Sequence, residues 1–271
     1  MSATTRGPRT ARPDDAGEET VRGGHYAEKQ LFSRSWLISW THRSRFDLAL
    51  ELGRRFAGKR ILDFGCGDGT FLGLLDADPA HPALGVGAEI DQRLVDDCLS
   101  RFGGRERLRF MLTRDLDAPE HAAAYDAIFC MEVLEHVVDL DHELDRLTRM
   151  VRPGGTLVVS VPVETGLPLL VKQSARTVLG WRGVGDYPGQ TSYRWGELAR
   201  GLLAGRRQHI TRPVLGGGDG EPFHDHKGFN WMALRDRIAR RLTVQSTVGS
   251  PLRWLPPHLA SQVWFIARKA A

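Results

Sequence analysis

Cysteine is scarce in this chain. Cys66, Cys98 and Cys130 are the three in 271 residues, and no two of them form a Cys-x-x-Cys pair. That argues against a disulfide framework or a cysteine zinc site and suits a reducing compartment, so a cytoplasmic location is expected. Long apolar runs are missing too, and nothing approaches the ~20 residues that a membrane span needs. The opening segment MSATTRGPRTARPDDAGEET has no apolar stretch of the kind a secretory signal carries. Its Pro, Gly, Arg, Asp and Glu bury too little surface to fold, and residues 1–24 are expected to be a disordered tail. Charge of one sign is not in large excess: Lys and Arg outnumber Asp and Glu 37 to 33, a formal net charge of +4. No strong basic stripe for gripping nucleic acid is evident, and the small surplus reads as an arginine-rich solvated exterior.

Apolar residues make up 41% of the chain, enough for a full-sized core. From Ile61 onward, short apolar runs alternate with helical patterns. Strands are expected at 60–64, 83–90, 108–112, 125–131 and 156–161, with helices between them at 69–75, 92–101 and 140–150. Pro153-Gly154-Gly155 is read as the stop after the last of these helices. Such alternation means a doubly wound α/β fold, a parallel sheet covered on both faces. Residues 163–224 hold no convincing strand and read as a helical insertion, a lid over the carboxyl ends of the strands. The pattern resumes with a helix near 231–241 and strands near 242–248 and 262–267. The organisation expected is therefore N-terminal helices over 25–57 (25–40 and 42–56), a core over 58–162, the insertion over 163–224 and a C-terminal part of the core over 225–271.

One segment points to a cofactor. Asp63-Phe64-Gly65-Cys66-Gly67-Asp68-Gly69-Thr70 lies at a strand-to-helix turn, where glycines let the backbone approach a ligand closely. A dinucleotide site would need G-x-G-x-x-G. Counting from Gly65 puts Thr70 in the third place, and counting from Gly67 puts Leu72 there, so that pattern fails. Acids at Asp63 and Asp68 would repel a pyrophosphate but suit a cation such as the amino group and sulfonium of S-adenosylmethionine. Glu89 ends the next strand, placed to take two ribose hydroxyls, and Asp115 follows the third, placed for an adenine amino group.

ILDFGCGDGTFL, VGAEID, YDAIFCMEVLEHV and RMVRPGGTLVVSVP resemble, in order and spacing, the successive motifs of class I S-adenosylmethionine-dependent methyltransferases. The likeness covers residues 60–162, and the closing strand SQVWFIARK is also similar. It implies a seven-stranded sheet whose last strand is antiparallel. It also implies cofactor contacts from Asp63, Gly65, Cys66, Gly67, Asp68 and Gly69, from Glu89 and Ile90, from Asp115 and Leu116, and from Cys130 and Met131. Glu89 stands where that family more often has Asp, and a longer carboxylate still serves.

Glu132-Val133-Leu134-Glu135-His136 follows the fourth strand, and His224-Asp225-His226-Lys227-Gly228-Phe229 lies far downstream. Carboxylates and imidazoles so grouped suit a hard divalent ion such as Mg or Mn. The pair of motifs resembles two families: O-methyltransferases of ubiquinone biosynthesis, and methyltransferases of the 3′-terminal 2′-hydroxyl of small RNAs. In both, the resemblance implies a metal held by Glu132, Glu135, His136 and a downstream histidine, here His226. The match is partial, since Phe223 replaces a Thr of the first family while Gly228 is extra and Asn230 replaces a Glu of the second. Without a metal, His136 with Glu135 is the candidate catalytic base, or His136 supports the strand end.

Residues 166–183 form an amphipathic pattern with Leu167, Leu170, Val171, Val178 and Trp181 on one side and Lys172, Arg176 and Arg182 away from it. That apolar face is expected to pack on the core, with contact to an anionic membrane surface as the alternative. In related enzymes the N-terminal helices help form the acceptor pocket, which makes Tyr26, Lys29, Trp36, Trp40, His42 and Arg45 candidate lining residues. The expected function is O-methylation of a small or lipid-like acceptor. An RNA 2′-O-methyltransferase, a non-catalytic relative that binds a partner, and an aminopropyl-type transferase are the rivals.

Overall fold

The structure, a computed structural model, describes residues 21, 23, 24, 27, 36–181, 193–216 and 221–271, with the side chains of 36–39 and 175–181 left aside. Its centre is a seven-stranded sheet. The strands are β1 (Arg60–Phe64), β2 (Leu84–Glu89), β3 (Leu108–Leu112), β4 (Tyr125–Met131), β5 (Val151–Pro162), β8 (Thr243–Ser250) and β9 (Gln262–Arg268). They lie in the order β3-β2-β1-β4-β5-β9-β8. The first five are parallel, and β9 inserts antiparallel between β5 and β8.

Central strands in such a sheet are buried on both faces, which is why RILDF and YDAIFCM are apolar apart from Arg60, Asp63 and Asp126. Alternate residues serve opposite faces. On one, Leu62, Phe64, Ile128, Cys130, Leu157 and Val159 pack with Leu144 and Leu147 of α4 (Leu140–Met150) and Leu234 and Ile238 of α7 (Trp231–Ala239). On the other, Ile61, Ala127, Phe129, Val158 and Trp264 meet α1 (Trp36–Gly53), α2 (Thr70–Asp76) and α3 (Gln92–Phe102). The chain leaves β1 toward β2 on one side and returns to β4 on the other. Loops after β1 and β4 therefore diverge and open a crevice at their carboxyl ends, where open α/β sheets bind ligands.

Three elements differ from expectation. Helix α1 runs unbroken through Thr41, because no glycine or proline interrupts residues 36–52; most of 25–35 lies outside the described residues. The helix ends at Met150 as expected, but Pro153-Gly154-Gly155 beyond it falls inside β5, which begins at Val151. Tyr125 pairs with Val151 and Ala127 with Thr156, so the extra residues form an irregularity, with Gly154 at φ 71°. The insertion also contains a short antiparallel ribbon, β6 (Val214–Leu215) with β7 (Phe223–His224).

The insertion's helices are α5 (Gly166–Trp181) and α6 (Trp195–Leu202). The expected core-facing side of α5 is turned outward: Leu167, Leu170 and Val171 are 56%, 42% and 60% exposed, while Leu169 is fully buried. Lys172, one turn from Leu169, shares the inner side and donates to the carbonyls of Val163 and Ser261 and to Glu164. Satisfying that ammonium beneath the helix orients α5, which the apolar spacing alone does not. The side chains of Arg176, Val178 and Trp181, and Arg182 itself, lie outside the described residues. No described helix is long and apolar enough to cross a membrane.

Candidate active site

At the crevice between β1 and β4 lies a cavity of about 190 Å³, lined by Arg45, Phe46, Asp63, Gly65, Cys66, Gly67, Asp68, Thr70, Phe71, Met131 and Glu132. The glycine loop forms its floor. Gly67 has φ 54° and nothing within 4 Å of where a Cβ would stand, so its backbone is bare toward open space. Gly65, at φ 75°, leaves room for Val133: a Cβ there would meet Val133 Cγ2 at 2.3 Å. Asp63 is 1% exposed, and its Oδ1 has no hydrogen-bond partner among the described residues. Burial, with the charges of Glu89 and Asp68 added, pushes its pKa up to about 8. A buried carboxyl so placed lacks a cation. Asp68 is committed to the scaffold, accepting from the Ala27 amide at 3.0 Å and the Thr70 hydroxyl at 2.6 Å. Glu89 braces the loop, its carboxylate accepting from the amides of Gly67 at 2.8 Å and Ile90 at 2.7 Å.

Helix α1 closes one side. Arg45, buried, points a guanidinium nitrogen at Glu132 Oε2 across 3.9 Å and donates to His42 Nδ1 at 3.2 Å. Glu132 sits at φ 56°, a conformation that costs a non-glycine residue about 1–3 kcal/mol. Its amide donates to the Ser160 carbonyl, and its Oε1 accepts from the Ser160 hydroxyl at 3.0 Å. The turn directs Glu132 into the cavity and sends the chain on to Glu135 and His136.

Those two residues belong to a second group. Glu135, His136 and His226 place one ligand-type atom each within 4.8 Å of one another. Glu135 is fully buried, neither of its oxygens is hydrogen-bonded among the described residues, and burial first, then Glu132's charge, hold its pKa well above the carboxylate range. His136 Nε2 stands 3.9 Å from Glu135 Oε1, and its ring meets His226 edge to face at 4.9 Å between centroids. His136 Nδ1 is bonded to the His224 carbonyl at 2.8 Å, which leaves Nε2 for chemistry. Burial lowers the His136 pKa, so the ring is neutral at pH 7.

These segments are far apart in sequence and are clasped together. The His224 amide donates to the His136 carbonyl at 2.9 Å. Arg212 donates to the carbonyls of Glu135, Asp225 (2.7 Å) and Lys227 (3.3 Å), with its guanidinium over the Phe229 ring. Burial lowers the Arg212 pKa to about 10.

A methyltransferase-domain family model matches residues 37–202, which spans both the glycine loop and the Glu132–His136 segment. The chain belongs to the class I S-adenosylmethionine-dependent methyltransferases. It is 30% identical over 202 residues to a ubiquinone biosynthesis O-methyltransferase of Mesorhizobium japonicum, covering 73% of each chain. Three further curated relatives align over 42–48% of their own length. Among solved structures, the N-methyltransferase NodS of Bradyrhizobium japonicum WM9, in complex with S-adenosyl-L-homocysteine, matches with a TM-score of 0.52 at 14% identity, over 96% of this chain and all of that one. The [4+2]-cyclase SpnF matches with a TM-score of 0.53 at 17% identity, over 84% of this chain and 81% of its own. At such identities the likeness is one of fold.

The donor set fits the cofactor of this methyltransferase. The unpartnered Asp63 oxygen and the bare Gly67 backbone face the volume that a cationic amino acid moiety needs. Of the residues read from sequence as cofactor contacts, Asp63, Gly65, Cys66, Gly67, Asp68 and Met131 line the cavity, whereas Gly69, Glu89, Ile90, Asp115, Leu116 and Cys130 do not. Cys130 is fully buried on the opposite face, as alternation along β4 requires, and Leu116 is in the core. Asp115 is exposed and caps its own turn through the Leu112 amide, and Ile90 is 58% exposed. Of the four residues read as metal donors, Glu135, His136 and His226 come within 4.8 Å of one another, and Glu132 is not in that group. Tyr26 and Lys29, with the side chain of Trp36, lie outside the described set, and of the remaining α1 candidates only Arg45 lines the cavity. Arg212 and Glu164 escaped sequence reasoning. An arginine among many and a glutamate beyond a strand end carry no local signature, although VPVE directly after a predicted parallel strand does mark a position that faces the crevice.

Proposed function

We propose that this methyltransferase transfers the methyl group of S-adenosylmethionine to a hydroxyl oxygen of a small or lipid-like aromatic acceptor. The observation that carries the reading is His136, a neutral imidazole anchored through Nδ1 at the end of β4, with Nε2 beside the crevice that holds the cofactor cradle. Asp63 and the Gly67 backbone bind the amino group of the cofactor, Arg45 its carboxylate, and Glu89 and Asp115 the ribose and adenine beyond the rim. As the oxygen–methyl bond forms, the sulfur–methyl bond breaks in line, and the hydroxyl proton passes to His136 Nε2. The same group, Glu135, His136 and His226, suits Mg or Mn, since Glu135 carries two unbonded buried oxygens that call for a cation. When bound, such an ion lowers the pKa of the acceptor hydroxyl, and Nε2 is then a ligand instead of the base. The likeness to a ubiquinone biosynthesis O-methyltransferase supports a phenolic, lipid-tailed acceptor. The outward Leu167, Leu170 and Val171 of α5 support contact with a membrane surface, where such acceptors reside.

Transfer from tritiated S-adenosylmethionine to catechols, polyprenylated phenols and RNA tests the reading. A phenol is expected to be labelled on oxygen, with His136→Ala slower by about 10²–10⁴-fold. Labelling of RNA with no labelling of phenols overturns the acceptor assignment.

A further inference from the structure

The family resemblance leads one to expect Glu132 in the metal group, and the group that forms is Glu135, His136 and His226. Glu132 is turned by its positive φ into the cofactor cavity and held by Ser160. Across the group, on the chain just beyond β5, stands Glu164, 2% exposed, with Oε1 at 3.8 Å from His226 Nδ1. The same oxygen accepts from Lys172 Nζ at 2.9 Å. His136 is bonded through Nδ1 to the His224 carbonyl, and His226 has the Glu164 carboxylate beside its Nδ1, at ion-pair distance but beyond hydrogen-bond reach. An imidazole has two ring nitrogens, so in His136 the nitrogen left over is Nε2. Metal-binding histidines are commonly held this way, with the other nitrogen donating to a carboxylate or a carbonyl that sets the tautomer and raises the basicity of the ring.

We propose that Glu164 is the positioning residue of the histidine–carboxylate group: its buried carboxylate, beside His226 Nδ1, orients that ring toward a divalent cation shared with Glu135 and His136, while Glu132 is no donor to that cation. The inference rests on reading Glu135, His136 and His226 as donors. Lys172 gives it a regulatory edge, because a helix of the insertion places its ammonium on the carboxylate that steadies His226.

The test is titration of metal-stripped full-length protein with Mn²⁺, followed by the electron paramagnetic resonance signal of the free ion. Wild type, Glu164→Gln, Glu164→Asp and Glu132→Gln are compared, and S-adenosylhomocysteine affinity is measured by calorimetry on each. Glu164→Gln keeps the shape and loses the charge; it is expected to weaken Mn²⁺ binding about 10–100-fold, with S-adenosylhomocysteine affinity unchanged and partial rescue in Glu164→Asp. Glu132→Gln, which removes a nearby charge but no donor, is expected to weaken Mn²⁺ binding less than Glu164→Gln does. Unchanged Mn²⁺ binding in Glu164→Gln with loss in Glu132→Gln overturns the proposal and leaves the metal reading standing. A wild-type protein that binds S-adenosylhomocysteine but no Mn²⁺ overturns both. If Glu164→Gln does not fold, Lys172→Met decides: removing the competing ammonium is expected to tighten Mn²⁺ binding, and weaker binding overturns the proposal.

Discussion

The cofactor cradle and the histidine–carboxylate group adjoin at the β4 end, yet they are built in different ways. Most of the cradle comes from one short stretch, Asp63 to Phe71, braced from the next strand by Glu89, with Met131, Glu132 and α1 closing the side. The second group draws on four separated places, 135–136, 164, 212 and 224–227, and is held by hydrogen bonds to backbone carbonyls. The two are joined by Val133 seated against Gly65 and by the strained turn at Glu132. A contiguous motif is robust because its geometry is local. An assembled one depends on the residues that do the assembling, and damage to either should leave the other largely intact.

The largest expected effect comes from Arg212→Ala. It strips three carbonyls of a buried charged donor, each such bond being worth about 1.5–3 kcal/mol, and should cost about 3 kcal/mol or more in unfolding by urea. Mn²⁺ binding should be lost while S-adenosylhomocysteine affinity stays near wild type. Loss of both affinities in folded protein would show that the regions are one unit.

Asp63→Asn should do the reverse. It should weaken S-adenosylhomocysteine binding about 10–100-fold, the value of a hydrogen bond to a charged group, and spare Mn²⁺. It also carries a pH signature. The Asp63 carboxyl is raised from 3.8 to about 8 in the folded protein. Between those values the unfolded chain is ionised there and the folded chain is not, so the ligand-free protein loses stability as pH rises through that window. Asn removes the slope, and the variant should melt higher than wild type at pH 8 and less so at pH 5. An equal difference at both pH values would remove Asp63 as the source.

The smallest effect belongs to Glu51→Gln, which breaks a half-exposed pair with Arg253 that links α1 to the β8–β9 loop. A screened surface pair of this kind contributes about 0.5 kcal/mol or less. Thermal melting should barely shift, and neither affinity should change. A larger loss would mean that α1 is held over the cradle from outside.

Much of the fold and of the cradle is legible in the amino-acid sequence. The alternation of apolar runs with helical patterns places five parallel strands and the resuming C-terminal pair, because strands buried on both faces must be apolar throughout. Asp63-x-Gly-x-Gly is readable for a similar reason: the backbone must come close to its ligand, and glycine permits that at φ 54° without strain or a side chain in the way. Less legible are the ends and the orientations. The Pro-Gly-Gly segment marks an irregularity within a strand as readily as a stop after a helix. Helix α5 presents Leu167 and Leu170 outward because Lys172 has three acceptors beneath it, and those lie on residues 163, 164 and 261.

The sequence by itself determined the sheet, the cofactor class and the identity of two histidine-bearing motifs, because each depends on residues within a few positions of one another. Tertiary structure alone decided which carboxylate faces which histidine. Glu132 and Glu135 are three residues apart and look equivalent in the sequence. One positive φ at Glu132, held by Ser160 from β5, points them to different sites, while a clasp from Arg212 and a glutamate beyond β5 complete the second. Those partners are set by the packing of distant segments, and no local spacing encodes them.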